Sequence, residues 1–118
     1  MTGHECITRL DRLKPNSYAY ADKLYWLCRL EGMIKREIID THEDAEELPG
    51  SLSEDDVLIA PPPFDEMYIH YLETQIDYAN GEFDRFNNAN AMFRSVYSAF
   101  ANAYNREHIP KTQKKNYL

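Results

Sequence analysis

The chain has 118 residues, a formal net charge of −7, and 43% hydrophobic residues. This size and apolar content suffice for one domain with one core, and no apolar run approaches the roughly 18 residues that a membrane-spanning helix requires. The N-terminal segment lacks a signal-peptide core, so we expect a soluble intracellular protein with reduced cysteines. The predicted organisation is a single helical domain over residues 1–110 and a basic flexible tail over residues 111–118.

The acidic residues are concentrated in the middle of the chain. Fifteen Asp and Glu residues, and no Lys or Arg, lie between Glu37 and Asp84, whereas both flanks are basic. This division argues against duplex nucleic-acid binding, which needs clustered Lys and Arg. It is compatible with a solvated acidic loop, or with an acidic surface that meets a basic surface of another subunit.

Two helices are predicted in the first third of the chain. Thr2 and Glu5 form a capping-box pattern at the start of a helix near residues 3–13, which ends before Pro15. The second helix, near residues 21–41, has apolar residues on two faces. We therefore expect it to be largely buried, or sandwiched between subunits.

A long acidic loop is predicted over residues 42–63. Pro49-Gly50 and three consecutive prolines interrupt any periodicity in this segment. Its apolar run "VLIA", at residues 57–60, predicts a strap against the core, with a short intersubunit strand as the alternative.

The clearest helical pattern begins at Phe64 and continues for about forty residues, which as one straight helix would extend about 60 Å. A domain of this size is nearer 30 Å across, so we predict an αα-hairpin with helices near residues 65–80 and 88–106. The turn lies either at Asn80-Gly81, which has the better helix-stop chemistry, or at Asn87-Asn88, which can cap the next helix. A continuous kinked helix is the remaining alternative.

These elements predict an all-α fold, a small helical bundle with a C-terminal αα-hairpin and a long acidic loop. The predicted core consists of apolar residues that share the helical stripes: Leu24, Leu27, Ile34, Tyr68, Leu72, Ile76, Phe93, Tyr97 and Phe100.

Motifs for catalysis or cofactor binding are missing from the sequence. It has no Gly-rich phosphate loop, no CxxC pair and no Gly-x-Ser-x-Gly segment. Glu66, His70 and Glu73 have a spacing that could hold a divalent metal, but a single His-x-x-Glu off the apolar stripe is more typical of a solvated helix face. We therefore predict no catalytic residue, no metal, no cofactor and no enzymatic activity.

Two stretches, from Leu10 to Glu37 and from Pro61 to Arg106, carry a set of short motifs: "LKPN", "DKLYWL", Tyr-x-x-Tyr-Leu-Glu, "IDYANGE" and the Asn-Asn before the last helix. As a set they resemble the small head–tail connector, or adaptor, proteins of tailed bacteriophages and prophages of Gram-positive bacteria. The resemblance implies a helical subunit of a homo-oligomeric ring that joins the portal protein to tail-completion proteins and lines the DNA channel. It implies assembly in the bacterial cytoplasm and a final position in the virion neck, with no membrane contact and no sequence-specific nucleic-acid binding.

Three groups of residues are candidates for contacts in such an assembly. The candidate interface is apolar: Trp26, Leu30, Met33, Ile39, Ile69, Phe83 and Phe86. The candidate acidic surface, facing a channel or a partner, consists of Glu43, Asp44, Glu46, Glu47, Glu54, Asp55 and Asp56. The candidate basic contact is Lys111, Lys114 and Lys115 in the tail. The alternative function is a non-enzymatic regulatory or host-interaction module encoded by a prophage, which would be monomeric or dimeric.

Overall fold

The computed structural model describes residues 1–43 and 52–108, which fold as four α-helices without a β-strand. α1 spans Gly3–Leu13, α2 Tyr20–Ile34, α3 Glu66–Ala79 and α4 Phe83–Glu107. A π-helical turn, Lys35–Ile39, directly extends α2. The predicted all-α class is confirmed. Within the described residues, no helix is both long and apolar enough to cross a bilayer.

α1 begins at the predicted capping box. Thr2 Oγ1 accepts a hydrogen bond from Glu5 N (3.1 Å), and Glu5 Oε1 accepts one from Thr2 N (3.2 Å). The helix buries its apolar face, including Cys6, against the core. Burial raises the pKa of the Cys6 thiol to about 12, so this cysteine stays protonated and acts as a small core residue.

The second helix is not α-helical throughout the predicted range of residues 21–41. Asp40 N donates to Lys35 O (2.8 Å), an i→i+5 bond that defines a π-helical turn. The wider turn lets the neighbouring residues Ile38 and Ile39 both face the core, where they are 4% and 3% exposed. A hydrophobic pattern with the period of an α-helix does not reveal this turn, because the turn is defined by one backbone bond, from Asp40 N to Lys35 O, at the end of the helix.

α3 and α4 form the predicted hairpin, and the chain reverses at Asn80-Gly81. Gly81 has a φ of +73°, the left-handed conformation that glycine adopts without strain. Glu82 N donates to Asp77 O (2.9 Å) and Gly81 N donates to Tyr78 O (3.1 Å), which are the two bonds of a Schellman motif. The choice that the sequence left open is therefore decided by the glycine.

Because α3 ends at the glycine, α4 begins five residues earlier than the predicted position 88. Asn87 and Asn88 lie within α4 and do not cap it. α3 packs against α1, α2 and α4, which places it at the centre of the fold. Seven of the nine predicted core residues are buried, while Leu24 and Tyr97 are partly buried and pack against that core.

Residues 52–60 form a strap across the N-terminal end of α1, and they include the run at 57–60 that is predicted to strap the loop to the core. Leu58 N donates to Met1 O (2.9 Å), and the strap and N-terminus share one isolated antiparallel bridge, between Thr2 and Val57. Leu58 and Ala60 are buried. "VLIA" is therefore a strap that alternates outward and inward side chains, not a strand of a sheet.

A buried carboxylate holds the strap to the helices. Glu31, on α2, is 8% exposed, and its Oε2 accepts a hydrogen bond from Ile59 N (2.8 Å). Its Oε1 accepts from the hydroxyl of Tyr68, on α3, and that hydroxyl in turn accepts from Ala60 N (2.9 Å). Two helices and the strap thus meet at the Glu31 carboxylate and the Tyr68 hydroxyl. The burial of Glu31 raises the pKa of its carboxyl group.

Replacing Tyr68 with Phe should lower the free energy of unfolding by about 1–3 kcal/mol, because Ala60 N and one Glu31 oxygen lose their buried partner. Tyr71→Phe is the matched control on the same helix, since the Tyr71 side chain is partly exposed and its hydroxyl has no bonding partner among the described residues. We expect the control to change stability by less than about 0.5 kcal/mol. Urea denaturation measures both variants, and equal losses would contradict the role of the hydroxyl.

The raised pKa of Glu31 predicts a specific pH dependence of stability. The folded protein holds the Glu31 proton more tightly than the unfolded chain, whose ordinary pKa is 4.5. Stability from this group is therefore fully present below pH 4.5 and is lost as the pH rises through the folded pKa. Subtracting the stability profile of Glu31→Gln from that of the wild type, at closely spaced pH values, should show this decline. A difference that is flat, or that rises with pH, would contradict the assignment.

Candidate assembly surfaces

Residues from three of the short motifs meet where the α1–α2 connection crosses the α3–α4 turn. Lys14 of "LKPN" forms an ion pair with Asp77 of "IDYANGE", and the Tyr18 hydroxyl donates to Asn80 Oδ1 (2.6 Å). Lys23 of "DKLYWL" bonds to Asn16 of "LKPN" (3.2 Å). We call this cluster the motif junction: Asp11, Lys14, Asn16, Tyr18, Lys23, Asp77 and Asn80.

The motif junction satisfies a buried ammonium group. Lys23 is 3% exposed, and its Nζ also donates to Asp11 Oδ1 (2.7 Å). The Asn16 side chain completes the cluster, since its Nδ2 donates to Asp11 Oδ1 (3.0 Å) and to Lys14 O (3.0 Å). A buried charge is tolerated only when it is paired and hydrogen-bonded, so these positions fix the path of the α1–α2 connection.

The Lys14–Asp77 pair also provides a buried charged group with a partner, at the other side of the motif junction. The Asp77 side chain is 2% exposed, whereas that of Lys14 is 20% exposed. Lys14 therefore reaches from a partly exposed position to neutralise a carboxylate inside the fold. The pair joins the end of α1 to the last turn of α3, next to the Schellman motif.

Apolar side chains are exposed at the end of the molecule where α3 turns into α4. Tyr78 and Phe83 are 66% and 61% exposed, and the Tyr78 ring lies 6.3 Å from that of Phe83 and 5.8 Å from that of Phe86. Leu13 and Met92, 64% and 54% exposed, line a neighbouring groove between α1, α3 and α4. We call Tyr78, Phe83 and Phe86 the hairpin end.

The predicted interface residues fall into two groups. Leu30, Ile39 and Ile69 are 0%, 3% and 2% exposed, so they belong to the core of the subunit and present no surface to a neighbour. Trp26 and Met33 are partly buried and pack against this core. The second apolar face of α2 is thus covered by the chain itself, including the strap and α3.

Phe83 and Phe86 are the members of the predicted interface that remain most available. Phe83 is 61% exposed and Phe86 is half-buried beside Tyr78. The sequence prediction did not include Tyr78, Leu13 or Met92. Their exposure depends on where α3 ends and α4 begins, which periodicity alone does not define.

The predicted acidic surface lies partly within the described residues. Glu43, Glu54 and Asp55 are exposed, and Asp56 is half-buried because its Oδ2 accepts from Ser53 N (2.8 Å). The other members of this prediction, together with the predicted basic contact, lie outside the described residues: Asp44, Glu46, Glu47, Lys111, Lys114 and Lys115.

Glu66, His70 and Glu73 are not brought together as metal ligands. Glu66 pairs with Arg9 (2.9 Å) of α1, while His70 Nδ1 lies 3.1 Å from Glu73 Oε1. Among the described residues, no group of three His, Cys, Asp or Glu side chains has an arrangement that could hold a metal ion. His70 and Glu73 instead lie in the groove that Leu13 and Met92 also line.

Sequence reasoning missed the buried charges, although a signal was present. Lys23 and Glu31 fall on the same helical stripe as Leu27 and Ile34. Successive members of this stripe are four, four and three residues apart, a spacing that places all of them on the face toward the core. A charged residue on an apolar stripe needs a buried partner. The partners themselves come from distant parts of the chain and cannot be read from local spacing.

Comparisons with known proteins add no family assignment. No protein-family model matches this chain, and no curated protein and no solved structure matches it either.

Lys14→Met should destabilise the fold by about 3 kcal/mol, because it leaves the buried Asp77 carboxylate without its counter-charge. Lys35→Met is the matched control, since Lys35 pairs with Asp40 (3.1 Å) between side chains that are 40% and 45% exposed. An exposed pair of this kind contributes about 0–1 kcal/mol. Thermal or urea unfolding measures the two variants, and similar losses would show that the Lys14–Asp77 pair is not structurally important.

Proposed function

We propose that this chain is a structural virion protein, a head–tail connector that joins the portal ring to the tail of a bacteriophage. The observation that carries the proposal is the motif junction. Three of the motifs that resemble connector proteins contact one another through Lys14–Asp77 and Lys23–Asn16, and Tyr18, which lies between two of them, donates to Asn80. Motifs whose residues hold a fold together are typical of a scaffold protein, whose function depends on its shape.

The surfaces of the subunit are compatible with this role. The hairpin end offers exposed aromatic groups for contacts with the portal protein or tail-completion proteins. Glu54 and Asp55 present exposed carboxylates, which would repel DNA phosphates and so allow passage without binding. The proposal needs no cofactor, no membrane contact and no sequence-specific contact with nucleic acid.

The alternative is a prophage-encoded regulatory or host-interaction module that acts as a monomer or dimer. One observation favours it: Leu30, Ile39 and Ile69 are buried inside the subunit, so the chain closes its own core without neighbours. A ring subunit can also have a closed core, provided that other surfaces supply its contacts. The two functions therefore differ in what happens to the virion when the chain is removed.

Deleting the coding sequence from the encoding phage or prophage should yield DNA-filled heads and free tails that remain unjoined, because the connector links the two. Electron microscopy of particles after induction measures the outcome, and supplying the wild-type chain in trans should restore joined virions. A regulatory module would instead change the number of particles or the timing of lysis and leave the particles intact. Intact tailed virions in the deletion strain would overturn the connector function.

A further inference from the structure

The four helices pack on one another directly, so they do not depend on the strap, residues 52–60, to stay together. α3 contacts α1, α2 and α4, and α1 also contacts α2. The strap adds two buried side chains to this core, those of Leu58 and Ala60. A segment attached in this way can open locally while the rest of the protein stays folded. The strap is therefore a candidate for a moving part of the structure.

Two kinds of hydrogen bond attach the strap to the helices. At the N-terminal end of α1 the bonds join main-chain groups, which do not titrate. At α2 and α3, Ile59 N donates to the Glu31 carboxyl group and Ala60 N donates to the Tyr68 hydroxyl. The attachment to α2 and α3 therefore includes a group that can gain or lose a proton.

The Glu31 carboxyl group is buried without a counter-charge. It is 8% exposed, and none of the ion pairs among the described residues includes it. The titratable group that faces it from α3 is the Tyr68 hydroxyl, and the strap presents only the main-chain amide of Ile59. α1 places the Cys6 thiol near Tyr68, and burial keeps that thiol protonated. An ionised Glu31 is thus hydrogen-bonded, but no positive charge compensates it.

Opening of the strap would return this carboxyl group to water. Burying an ionised carboxylate without a counter-charge costs more than burying the neutral acid. Burial accordingly raises the pKa of Glu31 above its ordinary value of 4.5. The closed strap therefore favours the protonated acid, whereas the open strap favours the carboxylate. Because opening then releases a proton, a rising pH favours opening and a falling pH favours closure.

We propose that the strap is a pH-dependent flap, which opens from the folded helices when Glu31 ionises. Opening breaks the hydrogen bonds that Ile59 N and Ala60 N donate. It also uncovers α2 near Cys28, whose Sγ lies 3.7 Å from Leu52 O of the closed strap. A face of α2 thus becomes accessible as the pH rises, while the helices remain folded. This behaviour does not depend on the connector function.

Amide hydrogen exchange of the full-length chain, followed by NMR from about pH 4 to about pH 8, tests the proposal. The measured quantity is the protection factor, because the intrinsic rate of exchange itself depends on pH. Above pH 4.5, the protection factors of Ile59 and Ala60 should fall by up to about tenfold per pH unit, the limit for release of one proton. The amides of Leu72 and Ile76, in α3, should be at least about tenfold more protected at each pH, because the helices stay folded when the strap opens.

Glu31→Gln removes the titrating group, since glutamine is uncharged at every pH. The protection factors of Ile59 and Ala60 should then be nearly independent of pH. Glu37→Gln is the matched control: Glu37 also accepts a hydrogen bond from a tyrosine hydroxyl, that of Tyr97 (2.6 Å), but it is exposed. This control should keep the pH dependence of the wild type. Circular dichroism should show that both variants keep the wild-type helix content.

Three outcomes would overturn the proposal. The first is a wild type in which the protection factors of Ile59 and Ala60 do not fall as the pH rises. The second is equal protection of the strap and of α3, which would show that the strap opens only when the whole protein unfolds. The third is a pH dependence that persists in Glu31→Gln. The first two need no variant, and all three leave the deletion experiment on virion joining unaffected, so the two proposals can fail independently.

Discussion

The arrangement of the four helices depends on a single backbone conformation, the left-handed one at Gly81. The apolar stripe of α3 continues into α4 without a break in its period, so the side-chain pattern alone does not end α3. The Schellman bonds from Glu82 and Gly81 end it, and the reversal folds one half of the stripe onto the other. As a result α3 is covered by α4 on one side and by α1 and α2 on others. The same reversal exposes Tyr78 and Phe83, which become the tip of the hairpin.

Buried polar groups then fix the segments that have no regular structure. Glu31 and Tyr68 position the strap through Ile59 N and Ala60 N, and Lys23 positions the α1–α2 connection through Asn16. Hydrophobic contacts alone would hold these segments to the core without selecting one register, because apolar burial is not directional. The cost of burying a charge is offset only when its partners are in place, so each such group favours one arrangement of the chain.

The helices could be predicted from the sequence because their signals are local. Thr2 and Glu5 mark the start of α1, and the i, i+3, i+4 spacing reveals α3. The start of α4 was misplaced because Asn88 has cap chemistry, yet a helix already begun at Phe83 runs through it. The π-helical turn and the pairing of Lys14 with Asp77 depend on tertiary contacts. The exposure of the candidate interface residues was therefore only partly predictable: Phe83 is exposed, whereas the burial of Leu30 and Ile69 follows from packing between distant helices.

A protein that associates needs both attraction to its partner and a defined orientation. In this chain, different surfaces carry the groups suited to each. Exposed ion pairs contribute at most about 1 kcal/mol each, so they cannot supply most of the free energy of association. Exposed aromatic groups can, and in this chain Tyr78 and Phe83 directly follow Asp77 and Glu82, which pair with Lys14 and Arg85. Glu54 and Asp55, whose carboxylates form no ion pair with another described residue, lie on the strap beside the start of α1. Like-charge repulsion there disfavours contact between two straps. The apolar hairpin end is therefore better suited to association than the acidic strap.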